Sequence, residues 1–208
     1  MKLALFGATG LAGRYILDEA LKAGHYVTVL VRDASKIDEP HKNLKIVTGD
    51  ALKEEDVFNV VKDQDAIVST ISEGPNVQHK TQRVATDYMI KAMQKTGVQR
   101  ILCMGAIGIL QFNASELIRD QPFYPELYRP LSYEHSAVNK LLHQSGLKWT
   151  QVCASTILAV PSDGKYALRV DYPPRDNMDV NAGNIGLFIM RELNKNEYLG
   201  KRVGITNA

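Results

Sequence analysis

"LALFGATGLAGRYILDEA", residues 3–20, sets three glycines at three-residue intervals between an apolar run and a helical pattern. The run Lys2–Phe6 is too short for a helix and stops at Gly7, so it reads as a strand. From Ala12 to Ala23 the apolar residues Tyr15, Ile16, Ala20 and Ala23 recur at helical spacing, and Gly24 stands where a terminating glycine would. Gly7, Gly10 and Gly13 therefore form a G-x-x-G-x-x-G turn between a strand and a helix. Glycines there let the backbone turn tightly and approach a pyrophosphate. The N–H groups of Leu11, Ala12 and Gly13 at the helix start would point at the anion. Thr9 can add a hydroxyl donor, and Arg14 a positive charge beside the phosphates. The stretch predicts a dinucleotide site.

The same rhythm continues outward. Tyr26–Val31 (YVTVLV) is a β-branched run suited to a strand buried on both faces. Strands follow at Leu44–Thr48, Ala66–Thr70, Arg100–Met104 and Trp149–Cys153, with helices at Lys53–Lys62, Val77–Lys95 and Leu131–Gln144 between them. Such alternation implies a doubly wound, Rossmann-like and mostly parallel sheet with helices on both faces. Two regions break it. Gln111–Arg129, with Pro122 and Pro125, reads as a loop with one weak helical turn. After Ser155 the chain passes Pro161, Gly164 and the Pro173-Pro174 pair before a last helix at Ala182–Leu193 and a strand at Arg202–Thr206. The expected organisation is a single domain over residues 1–208, with loops at about 105–130 and 155–180 shaping a substrate pocket.

The end of the second strand bears on the cofactor. An NAD site places an acidic residue about twenty positions beyond the glycines. Arg32 stands there instead, nineteen residues after Gly13. A guanidinium matches a 2′-phosphate, and Lys36 supplies a second cation, so NADP(H) is expected over NAD(H). Asp33 opposes this: turned inward, it would bind a ribose 2′-hydroxyl. Asp50 and Ala51 follow the third strand, where the Asp50 carboxylate either bonds the adenine amino group or caps the next helix. Thr70 and Ile71 would line the path toward the nicotinamide. Met104, Gly105 and Ala106 at the end of the fifth strand, and Ser155 after the sixth, complete the expected cofactor contacts.

The stretch from Leu3 to Asp33 and a second one, "EHSAVNKLLHQSGLKWTQV" from Glu134 to Val152, carry a resemblance. They look like the atypical short-chain dehydrogenase/reductases of the NmrA-like group, and in particular the biliverdin-IXβ reductase/flavin reductase family. The second stretch resembles that family's Asp-His pair, Lys and Ser-Gly-Leu-Lys turn. The resemblance implies NADPH-dependent reduction of a flavin such as FMN, a linear tetrapyrrole or a quinone-like acceptor. It implies that Gly7, Thr9, Gly10, Arg32, Asp50 and Thr70 hold the cofactor and that His135 stands near the pocket. One position departs from it: where the family carries a serine after the fifth strand, this chain has Gly105 and Ala106.

The Tyr-x-x-x-Lys pair of main-line dehydrogenases is missing too, since Ser136 stands four residues before Lys140. Without a tyrosine acid, sugar epimerase and alcohol dehydrogenase chemistry is disfavoured. A flavin or quinone spreads the added charge over its own conjugated system, so a small planar acceptor is expected. Tyr133 and His135 remain as catalytic candidates. His135 is either a proton donor near neutral pH or a solvated helix-start histidine. Lys140 meets the nicotinamide ribose or faces solvent; Phe123, Tyr124 and Tyr128 stack a substrate or pack their loop. The alternative function is a non-enzymatic NADP(H) sensor that regulates a partner.

Composition narrows the rest. A formal net charge of +2, with 45% apolar and 23% charged residues, describes an ordinary globular chain without the basic block a nucleic-acid partner calls for. No run suggests a membrane span and Met1 leads straight into a strand, so the expectation is a cytoplasmic monomer or homodimer. Cys103 and Cys153 sit in apolar runs and read as buried, reduced thiols. His25, His41, His79 and His143 are scattered, with no metal-ligand spacing. Asp163, Asp171, Asp176 and Asp179 read as a solvated acidic loop.

Overall fold

The strand that opens the chain divides its side chains between two cores. In the computed structural model, which describes residues 1–37, 40–74, 80–174 and 178–208, strand β1 is Lys2–Phe6. Leu3 and Leu5 enter one buried cluster, while Ala4 and Phe6 enter another on the opposite face, the period-two consequence of a strand covered on both sides. Helices α1 (Leu11–Lys22) and α5 (Ala182–Lys195) cover the first face. Helices α2 (Glu54–Val61), α3 (Thr81–Thr96) and α4 (Arg129–Gln144) cover the second.

The remaining strands are β2 (Tyr26–Val31), β3 (Leu44–Thr48), β4 (Ala66–Ser69), β5 (Arg100–Ala106), β6 (Lys148–Ala154), β7 (Thr156–Leu158), β8 (Tyr166–Val170), β9 (Asp179–Asn181) and β10 (Lys201–Asn207). The main sheet has the order β3-β2-β1-β4-β5-β6-β10-β8, parallel throughout except where β8 runs antiparallel to β10. Strands β7 and β9 pair in parallel as a separate two-stranded sheet. The order reverses between β1 and β4, and ligands of such sheets bind outside the strand ends at that reversal.

The sequence reading therefore recovers the doubly wound architecture, and three strands, Lys2–Phe6, Tyr26–Val31 and Leu44–Thr48, keep their expected bounds. It missed β7, β8 and β9 in the stretch read as loop. Of the acidic run read as a solvated loop, Asp163 is exposed in a loop and accepts from Lys165 N–H and Asn184 Nδ2, Asp171 pairs with Arg202 Nε at 2.9 Å, and Asp179 begins β9. Asp176, His79 and the expected helix start at Val77 lie outside the described residues. Segment 107–128 carries three 3-10 turns, two of them within the stretch 111–129 where the sequence predicts one. Its Ile107, Ile109, Leu110, Ile118 and Tyr124 bury a third cluster against Cys153, so much of this expected pocket loop packs down on β6. Tyr124 donates to or accepts from Ser132 Oγ at 2.7 Å, while Phe123 is 65% exposed.

Away from the strand ends, a buried ion pair ties β5 to α5. Arg100 donates to Glu192 Oε1 and Thr150 Oγ1, both at 2.8 Å, and Glu192 also accepts the Glu197 and Tyr198 N–H groups. Cys103 and Cys153 are buried and free, as expected. Among the described residues no helix is long and apolar enough to cross a membrane, and no cluster of His, Cys, Asp or Glu is placed to hold a metal ion.

Candidate functional site

Gly7 leaves β1 with φ +84°, a conformation that disfavours any side chain, and a Cβ there would lie 2.5 Å from Thr70 Oγ1. Gly10 is the N-cap of α1 and has ordinary dihedrals; a Cβ on it would meet nothing nearer than Gly7 O at 3.4 Å. Gly13 is the packing glycine. Its missing Cβ would lie 2.0 Å from Gly7 O, so the helix is seated directly on the loop. The three glycines thus serve turn, approach and packing in that order. Helix α1 has no side-chain cap and no acidic residue in its first turn. Its first backbone bond is Arg14 N–H to Gly10 O, which leaves the N–H groups of Leu11, Ala12 and Gly13 without a partner inside the helix.

Beside this loop, at the β1/β4 reversal, lies a cleft of about 630 Å³. The structure brings Gly7, Thr9, Gly10, Arg32, Asp50, Ala51, Thr70 and Ile71 together on its walls, all positions singled out from the sequence. Thr70 reaches across from β4: its hydroxyl lies 3.0 Å from Gly7 O and 3.2 Å from Phe6 O, and its N–H bonds Phe6 O at 2.9 Å. Arg32 is exposed at the end of β2, with no ion pair among the described residues. Asp33 is committed elsewhere: Oδ1 accepts Ser35 N–H at 3.0 Å and Ser35 Oγ–H at 2.7 Å, which holds its pKa below the ordinary value. Asp50 is not the cap of α2, which begins after Lys53. Its Oδ1 instead accepts Leu52 N–H at 2.9 Å, and its own N–H is held by Asp56 Oδ2.

An anion-receptive helix start and a loop stripped of side chains fit the pyrophosphate of a dinucleotide, and Arg32 on the cleft wall makes no ion pair with any described residue. The sequence profile described as NAD(P)H-binding matches residues 7–196. The chain belongs to this NAD(P)H-binding family. Among relatives, the uncharacterised Bacillus subtilis (strain 168) protein YwnB is 31% identical over 191 residues, 88% of this chain and 83% of its own. Phenylcoumaran benzylic ether reductase POP1 of Populus trichocarpa is 29% identical over 106 residues, which span 46% of this chain and 32% of the plant protein. A proposed epimerase of Bacteroides thetaiotaomicron superposes with a TM-score of 0.86 at 25% identity, covering 99% of this chain and 96% of that one. A proposed NADH-flavin reductase of Streptococcus pneumoniae TIGR4 shares the fold with a TM-score of 0.85 at 23% identity over the full length of both chains.

Not every expected contact of this NAD(P)H-binding chain reaches the cleft. Leu11 and Arg14 line a second cavity of about 580 Å³ beyond Thr9, with Tyr15, Asp18 and Ala159. Arg14 Nε donates to Thr9 O, so the arginine braces the loop. Gly13 is buried under the loop, Ala12 is half-buried against the α1–α5 core, and Lys36 is exposed and off the cleft wall. Met104, Gly105 and Ala106 end β5 beside Val152, Cys153 and Ala154 of β6. A Cβ on Gly105 would lie 2.7 Å from Cys153 Sγ and 3.1 Å from Gln151 Cγ, so neighbouring side chains fill the space a serine would need. Lys140 and Ser155 are exposed and line neither cavity, and Ser136 is bonded to Arg119.

His135 is the main correction. It is not a solvated helix-start residue but only 5% exposed inside α4, with its Nε2 3.4 Å from Gln82 Nε2 and its carbonyl accepting from Gln151 Nε2. Burial pushes its pKa down to about 4, against the opposing effect of the Met104 backbone. At neutral pH it is an uncharged imidazole and a poor acid. Tyr133 is exposed, with the Arg119 guanidinium 4.6 Å from its ring centre. Sequence reasoning missed Glu73 and Thr81, which also line the cleft; Glu73 accepts the Thr81 N–H at 2.9 Å and so caps α3. No local pattern joins these two residues, because their contact exists only once β4 and α3 are packed.

Proposed function

We propose that the protein is an NADPH-dependent reductase of a conjugated, planar acceptor such as a flavin, a linear tetrapyrrole or a quinone. The observation that carries this reading is the cleft at the β1/β4 reversal, with Arg32 on its wall making no ion pair among the described residues while Asp33 is held by Ser35. Gly7, Gly10 and the start of α1 would receive the pyrophosphate, Arg32 the 2′-phosphate, and Asp50 and Ala51 would flank the adenosine. When bound, the nicotinamide supplies a hydride. The residues supply position rather than acid: His135 is buried and neutral, and no tyrosine stands four residues before Lys140. An acceptor whose own π-system carries the incoming charge tolerates that poverty of acids, whereas a simple ketone does not. The reductases among the plant relatives agree with this class of chemistry.

Purified protein should oxidise NADPH when given FMN, dichlorophenolindophenol or biliverdin. Arg32→Ala should weaken NADPH by about tenfold or more, the size of one or two charge-assisted hydrogen bonds, and leave NADH within about twofold. Tight NADPH binding with no turnover across this panel would refute the reductase reading. Equal losses for both cofactors would refute the role of Arg32.

A further inference from the structure

The Gly7 carbonyl is an unusually crowded acceptor for a residue at the mouth of a cleft. It takes the Gly10 N–H at 3.0 Å and lies 3.0 Å from Thr70 Oγ1, and Gly13 is packed so close that a Cβ there would come within 2.0 Å of the same oxygen. We propose that Thr70 is a positioning residue: its hydroxyl pins the Gly7 carbonyl into the loop, keeping a partial negative charge away from the phosphates. The proposal rests on the dinucleotide reading above and assigns Thr70 an action through the glycine loop rather than a contact with the nicotinamide.

The physical need is specific. Gly7 sits at φ +84° with no side chain to restrain it, so the orientation of the peptide that follows depends on what holds its carbonyl. A rotation there would aim a carbonyl oxygen where the loop must offer only N–H dipoles, and would oppose the anion instead of attracting it. Gly10 N–H supplies one restraint from within the loop. Thr70 supplies one from β4, and β4 is anchored to β1 by the pairing of Phe6 with Ser69 and by the Thr70 N–H bond to Phe6 O. The hydroxyl has a single proton, shared between Gly7 O at 3.0 Å and Phe6 O at 3.2 Å, so both of its acceptors lie on the strand-to-loop junction. Thr70 thus carries the rigidity of the central sheet into the loop.

Three ligands separate this role from others. Adenosine 2′-monophosphate engages the Arg32 end only, 2′-phospho-ADP-ribose adds the pyrophosphate, and NADP⁺ adds the nicotinamide. Calorimetric titration of Thr70→Val should show NADP⁺ and 2′-phospho-ADP-ribose weakened by the same factor, about three- to tenfold, the size of one hydrogen bond. Adenosine 2′-monophosphate should bind unchanged, and Thr70→Ser, which keeps the hydroxyl, should restore wild-type affinities. Thr70→Ala gives the same comparison should the valine variant fail to fold. An equal loss for all three ligands, a loss confined to NADP⁺, or no loss would each overturn the proposal. Wild-type protein that binds NADP⁺ beside an unaffected Thr70→Val sinks this inference alone; wild-type protein that ignores NADP⁺ takes the dinucleotide reading down with it.

Discussion

Replacing His135 by glutamine should flatten the acid side of the protein's stability profile. The imidazole is buried among Gln82, Gln151 and the end of β5, and its pKa falls from 6.5 to about 4 on folding. A histidine whose folded pKa is depressed binds protons more weakly in the native state than in the unfolded chain. Its contribution is therefore fully present above about pH 6.5 and is lost as pH falls toward 4. Each tenfold difference in proton affinity corresponds to about 1.4 kcal/mol. The loss from this one residue then reaches about 2 kcal/mol by pH 5 and about 3 kcal/mol by pH 4. Urea unfolding of wild type and His135→Gln at intervals from pH 8 to 5 isolates it, because His25, whose pKa burial also lowers, is common to both proteins. The wild-type curve should drop by about 2 kcal/mol more than the variant's over that range. Parallel curves, or an NMR titration of His135 with a midpoint near 6.5, would refute the argument and return the residue to the list of acids available at neutral pH.

The two unstrained loop glycines should respond unequally to alanine. Gly13→Ala forces a methyl against Gly7 O and should cost about 2 kcal/mol, with a lowered thermal midpoint and weakened NADPH binding, while Gly10→Ala, whose methyl makes only an ordinary contact with Gly7 O, should cost under about 1 kcal/mol; equal costs would contradict the packing role given to Gly13. Glu192→Gln leaves the buried Arg100 charge without its counter-ion and should destabilise by about 3 kcal/mol in urea unfolding, and a loss below about 1 kcal/mol would show the pair to be inconsequential.

How much of this was legible in the sequence depended on whether the cause was local. Tyr26–Val31 could be read to the residue because a short run rich in β-branched residues suits a strand largely covered on both faces. The glycine loop was legible because each glycine answers a backbone demand made within a few residues of itself. Strands β7 and β9 were not, since each has three residues and exists through its pairing with the other. The antiparallel turn of β8 onto β10 likewise depends on a partner that comes more than thirty residues later in the chain. In the site, Arg32 could be named from its distance beyond the glycines and Asp50 from its place after the third strand. The withdrawal of Asp33 by Ser35 is a matter of side-chain rotation that no spacing specifies. His135 misled for a related reason: the pattern places it near a helix start, but its depth is set by Gln82 on α3 and Gln151 on β6.

The packing around Gly105 reaches beyond this one molecule's chemistry. Because the Cys153 thiol and the Gln151 side chain already occupy the space beside that backbone, a serine at position 105 requires both to shift. Residues in such contact couple, so the cost of Gly105→Ser should fall when Cys153 is made smaller. A hydroxyl at this strand end therefore involves two neighbouring side chains as well, whereas the exposed Arg32 on the cleft wall can be changed alone.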